Sequence, residues 1–237
     1  FPVFFGIEIG KKLPDETIIH SYGILGEEWY IPSDFNIFYN QKASLLPFFT
    51  TAPWILLILI PAITMKMVSA EFYQKTNLIL FTKPIKKWDI IFAKFLASLT
   101  IGKICLIPTL IFVYSIYNIS DPIGNIDVGE LIGSYLGIMM LISLYSSIGL
   151  FCSSISNNNM IAYILTIIII LLLYMGVNIL GTAYNLYIFE FLSIQSHYES
   201  ISRGVIDSRD IIYFSSIIFL FLYFSSVLIE QKNIWAF

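Results

Sequence analysis

The side chains able to do chemistry in this sequence stand in apolar surroundings. Lys66, Lys75, Lys83, Lys86, Lys87 and Lys94 fall within 29 residues (66–94), are nearly half of the 13 Lys and Arg in the chain, and are opposed there only by Glu71 and Asp89. Basic residues in a short loop between apolar segments resist translocation, so this side faces the cytoplasm. Inside the loop lies a hydrophobic run, Asn77-Leu-Ile-Leu-Phe-Thr82, closed by Lys83-Pro84. A short helix in a basic loop has two uses. It docks a soluble partner below the membrane, or it lies in the interface with its lysines on anionic headgroups.

Lys103 and Glu190 are the other ionisable groups of interest, in or beside apolar runs. Lys103 follows Lys94 by nine residues, about 13 Å deeper along a helix, where an ammonium is costly and therefore a candidate for a substrate path. A structural ion pair or a snorkelling side chain is at least as good a reading. ATP hydrolysis is not supported on this chain. A phosphate-binding loop needs an upstream glycine and a hydroxyl after Gly-Lys, whereas Gly102-Lys103-Ile104 has neither and sits in an apolar run. His20 and His197 are the only histidines, too few for a His-rich metal cluster, and hydrogen bonding in outer loops is their expected role. Cys105 and Cys152 have neither disulfide nor metal spacing and are expected as core residues. No signature of an intramembrane protease is present.

The elements that position these groups follow from composition. At 237 residues, 57% apolar and 12% charged, with a mean hydropathy of +0.81, the chain has about half the charge of a soluble domain. Its apolar runs are long enough to cross about 30 Å of hydrocarbon as helices. The expected fold is an all-α, polytopic membrane protein with five complete spans near 46–65, 90–117, 131–152, 160–180 and 210–229. Residues 1–45 form an extracytoplasmic loop with interfacial aromatics, and 46–237 the transmembrane domain. Gly133 and Gly137 permit close helix packing. Residues 153–159 make a polar turn whose asparagines cap the next helix. Residues 181–209 make a re-entrant or interfacial outer segment, its stretch from 197 to 209 a polar outer loop.

The stretches Thr51-Ala-Pro-Trp-Ile55, Ile60-Pro-Ala-Ile-Thr-Met65, Leu80-Phe-Thr-Lys-Pro84 with Trp88, and Ala93-Lys-Phe-Leu96 resemble ABC-2-type exporter permeases (type V exporters). Phe151-Cys-Ser-Ser-Ile-Ser156 and His197-Tyr-Glu-Ser-Ile-Ser-Arg-Gly-Val-Ile-Asp207, then Arg209-Asp210 and Tyr213, resemble the gliding-motility-associated permease subunit of Bacteroidota. A permease set for copper-enzyme maturation shares much of this pattern. Where the family carries Gly-Thr and a Glu two residues on, this chain has Lys75-Thr76 and Leu78. The resemblance implies a non-catalytic membrane subunit in the bacterial inner membrane, with a further span ahead of Phe1. It makes 71–89 the ATPase-coupling segment, with Glu71, Thr76, Leu80, Thr82, Lys83, Pro84 and Trp88 as contacts. It further implies two partner ATPase subunits that carry ATP and Mg, no cofactor on this chain, a second permease copy or paralogue, and periplasmic gliding or envelope proteins. Membrane lipid surrounds the chain and no nucleic acid is expected. A different class of function is a membrane scaffold that passes ATPase work to extracytoplasmic partners without moving a substrate.

Overall fold

The computed structural model describes residues 7–9, 19–22, 28–30, 46–74, 86–119, 127–184, 192–204 and 207–234. Three short strands come first: β1 (Ile7–Ile9), β2 (Ile19–Tyr22) and β3 (Glu28–Tyr30), paired antiparallel in that order. Ile7 faces Ser21 across the first pair, and Ser21 faces Trp29 across the second. This small sheet is an addition to the expected loop; the remaining elements are helical.

The helices are α1 (Leu46–Thr64), α2 (Ser69–Tyr73), α3 (Lys87–Leu106), α4 (Leu110–Ile119), α5 (Val128–Ile155), α6 (Asn159–Leu171), α7 (Val177–Tyr184), α8 (Ile194–Ser202) and α9 (Ser208–Ile234). A 3₁₀ turn at Ile107–Thr109 links α3 to α4, where Pro108 removes a backbone donor. A π-helical turn at Leu172–Gly176 links α6 to α7. Among the described residues five stretches are long and apolar enough to cross a membrane: Phe48–Tyr73, Lys87–Asn118, Val128–Ile155, Asn159–Gly181 and Ser208–Lys232. The all-α, five-span expectation is met.

The helix starts explain their places. Asp127 accepts from the amides of Gly129 and Glu130 at the head of α5, and Asn158 accepts from Met160 at the head of α6, satisfying donors that have no partner within the first turn. α5 is the central post. It is mostly buried, and its inward residues Ile138, Leu141, Ile142, Tyr145 and Ile148 join Phe49, Leu56 and Ile60 of α1, Ile170 of α6, Tyr198 of α8 and Phe214 of α9 in the main core. A helix apolar on all sides suits such an enclosed place, or a place in lipid. A second cluster (Val68, Ile91, Phe95, Leu150, Leu222 and Ile229) fills the Lys-rich end.

Two expectations are corrected. Cys105 is exposed rather than in the core, because α3 and α4 lie at the periphery with few buried residues. Residues 197–202 are helical, not loop, and His197 is buried. Ile194, His197, Tyr198 and Ile201 recur at helical spacing and give α8 one inward face.

Candidate coupling site

The Lys-rich end gathers α2, the feet of α3 and α9, and the turn between α5 and α6. Five residues are too few for α2 to stand as an isolated helix, and the residue at its N-cap, Val68, offers no side-chain cap. Ser153 of α5 substitutes from 85 positions away. Its Oγ accepts from the amides of Val68 at 3.1 Å and Ser69 at 2.9 Å, and lies 3.0 Å from the Met65 carbonyl, to which it donates. Ser69 Oγ in turn lies 2.5 Å from both the Met65 carbonyl and Asn159 Oδ1. The first turn of α2 is thus held by the end of α5 and the start of α6.

Two ammonium groups complete the hold. Lys94 of α3 reaches back to the Met67 carbonyl and forms a 2.5 Å ion pair with Glu71. Its side chain is 15% exposed against 36% for Glu71, so the pair is shielded more than a surface one, whose contribution is small. Lys232 of α9 donates to the Ile155 carbonyl at 2.9 Å and to Asn157 Oδ1 at 2.7 Å, and stands 4.7 Å from the centre of the Phe72 ring. It therefore neutralises the carbonyl end of α5, where a cation is favoured, while covering an aromatic face of α2. Lys87 and Glu230 lie 3.5 Å apart beside it. Below this latch, Lys66, Tyr73, Gln74, Lys86 and Asp89 are exposed.

Of the expected coupling residues, Glu71 is in the latch and Trp88 lies on α3, its ring 5.7 Å from that of Phe219. Thr76, Leu80, Thr82, Lys83 and Pro84 lie outside the described residues, as does Glu190. Lys103 is exposed on α3. Its neighbour Gly102 faces Ile142 and Ile60 so closely that a Cβ there would meet Ile142 Cγ2 at 2.6 Å. Ile142 is midway along α5, so Lys103 stands at half height on the outside of the protomer. Ser69, Ser153, Asn159 and Lys232 were not expected at this site. Nothing local links them: Ser69 and Asn159 are 90 positions apart, and Lys232 is 160 from the Phe72 it covers.

The opposite end is built differently. A Cβ on Gly133 would lie 2.6 Å from the Gly204 Cα and 2.7 Å from the Ile201 carbonyl oxygen. Gly204 itself has φ +84°, a conformation that favours glycine. Gly137 faces the Tyr198 ring, and Ser134 donates to the Ser202 carbonyl at 2.7 Å. The small-residue face of α5 therefore receives α8 and its exit turn. Tyr198 donates to the Phe49 carbonyl at 2.6 Å, and burial raises its phenol pKa above the ordinary value, keeping it a neutral donor. His197 Nδ1 and Asp210 Oδ1 are 2.6 Å apart in a buried pair. The Tyr213 ring stacks on His197 at 4.0 Å, and its hydroxyl donates to the Leu192 carbonyl at 2.5 Å.

Among the described residues no group of His, Cys, Asp and Glu is placed to hold a metal ion. The arrangement binds helix ends together and presents a small exposed surface; it offers mechanical attachment. No curated protein and no solved structure matches the chain. The sequence profile of the ABC-2 family transporter proteins does, over residues 6–229, and the chain, a multi-pass membrane protein, belongs to that family.

Proposed function

We propose that this chain is the membrane subunit of an ABC exporter and transmits ATP hydrolysis on a separate ATPase through the segment that begins with α2. The carrying observation is the latch. A five-residue helix that leads into residues 75–85 is bonded by Ser153, Lys94 and Lys232 to three membrane-spanning helices. An interfacial helix that only adsorbs to lipid needs no such attachment, whereas a lever does. In this reading the Lys-rich end is cytoplasmic, the membrane is the bacterial inner membrane, and ATP and Mg are bound by the partner. Lys103, at half height on the exposed side of α3, lies on the route of the substrate or against a second permease, since an ammonium facing hydrocarbon at that depth is costly.

The test is purification of the chain from its native membrane in mild detergent. An ATP-hydrolysing subunit is expected to accompany it, and exchange of Tyr73, the most exposed large residue of α2 at 78%, for a photo-crosslinking residue is expected to trap that subunit. Isolation without any ATPase overturns the proposal. The narrower link to gliding motility rests on residues 197–213 by resemblance alone, and co-isolated periplasmic partners would carry it. The well-knit outer segment around His197 and Asp210 also suits a transmitter that moves such partners rather than a substrate.

A further inference from the structure

α1, α5, α9 and the span formed by α6 and α7 touch both ends of the molecule, and they differ in how they are held. The last meets the Lys-rich end at Asn159 and α8 through the amide pair Asn178 to Gln195. α5 is enclosed on most sides, so any displacement disrupts its packing with every neighbour. α1 meets the outer segment through the Phe49 carbonyl but is buried in the main core for much of its length. α9 is mostly exposed. Its polar attachments lie at its two ends, with a Ser154–Ser225 hydrogen bond of 2.6 Å between them. At the Lys-rich end Lys232 grips α5, the following turn and Phe72 of α2. At the other end Asp210 grips His197, and Tyr213 grips the Leu192 carbonyl. These grips are 22 residues apart, about 33 Å along a helix, and both outer ones act on the segment carrying α8.

We propose that α9 is the rod through which movement at the coupling segment reaches the outer segment, with Lys232 and Asp210 as positioning residues at its two ends. The inference rests on the coupling role proposed above. Small sliding of a side-mounted helix is an established way for packed helices to move. Here the slide is driven where Lys232 covers α2 and delivered where Asp210 holds α8. A shift of α9 along α5, its main packing partner, then pulls on the buried His197 through Asp210.

The experiment uses the intact complex with its ATPase in lipid nanodiscs and follows backbone hydrogen exchange of residues 194–202 with and without a non-hydrolysable ATP analogue. In the unaltered complex the analogue is expected to change exchange in this segment. Lys232→Met is expected to lose that response while the ATPase stays bound and the thermal midpoint stays near that of the parent. Lys232→Arg, which keeps the donor and the charge, is expected to retain it. Asp210→Asn is expected to weaken the response, and the double variant to respond no less than Lys232→Met alone, since two grips on one rod act as a unit. Full response in Lys232→Met, or no response in an unaltered complex that binds nucleotide, overturns the rod and leaves the coupling role standing. Absence of any ATPase overturns both.

Discussion

The two ends of this bundle are fastened by different means. At the Lys-rich end, charged and hydroxyl groups hold backbone carbonyls and amides: Lys94 on Met67, Lys232 on Ile155, Ser153 on Val68 and Ser69. The two lysine bonds are partly open to solvent, whereas the Ser153 bonds are buried. At the opposite end close steric contacts are added to hydrogen bonds on the Phe49, Leu192 and Ser202 carbonyls. Gly133 meets backbone, Gly137 meets an aromatic ring, and the His197–Asp210 hydrogen bond is enclosed beneath a stacked tyrosine. The lever proposed above needs such an asymmetry: attachments that can re-form at the Lys-rich end and a stiffer grip at the far end.

The largest effect is expected from His197→Ala, which leaves the Asp210 side chain buried without its hydrogen-bond partner. Leaving a buried polar group unsatisfied costs up to about 3 kcal/mol, read as a drop in thermal midpoint in detergent. A midpoint within error of the parent would mean that the opposite end is not stiff. Gly133→Ala comes next. Its new Cβ strikes the Gly204 Cα and the Ile201 carbonyl, atoms that cannot rotate away, so the helices must separate at about 2 kcal/mol. Gly149→Ala is the sharper comparison at the Lys-rich side. Its Cβ would meet the Thr64 side chain, so Thr64→Gly is expected to rescue Gly149→Ala, whereas no side-chain change rescues Gly133→Ala.

How far these ends were legible in the sequence follows the same division. The spans were legible because apolar runs of about 20 residues have one use, and Gly133 and Gly137 announced close packing by their spacing. Asn158 was readable as a cap because capping is local. The buried face of α8 carried a signal, Ile194, His197, Tyr198 and Ile201 at helical intervals, that the polar residues between them masked. The latch was not readable. Ser153 caps a helix 85 positions away and Lys232 covers a ring 160 positions away, and a serine at one helix end looks like any other until the chain is folded. Cys105 was misplaced because apolar neighbours mean core in a soluble protein but also mean periphery in a membrane protein.

Ser153→Ala probes the driven end with a smaller effect. It removes the acceptor for two amides that are themselves buried, and unsatisfied buried donors of this kind cost about 1 to 2 kcal/mol. The loss is expected to be local: backbone exchange rises in residues 65–74 and stays unchanged in 194–202. Equal rises at both ends would erase the distinction between a detachable and a stiff fastening.

The smallest effect, and the one of opposite sign, belongs to the span between the two ends. The Tyr145 hydroxyl on α5 is fully buried, with no hydrogen-bond partner among the described residues. A buried hydroxyl without a partner has surrendered its water bonds for nothing, so the phenol oxygen is a net cost in this state. Tyr145→Phe keeps the ring in the core and deletes only that atom, and is expected to raise the thermal midpoint by the equivalent of up to about 1 kcal/mol. A lowered midpoint would show that the hydroxyl is satisfied in the resting bundle. A raised midpoint together with a weakened nucleotide response of the outer segment would show that the oxygen finds its partner only after the bundle moves, placing the pivot of the lever at the middle of α5 rather than at either end.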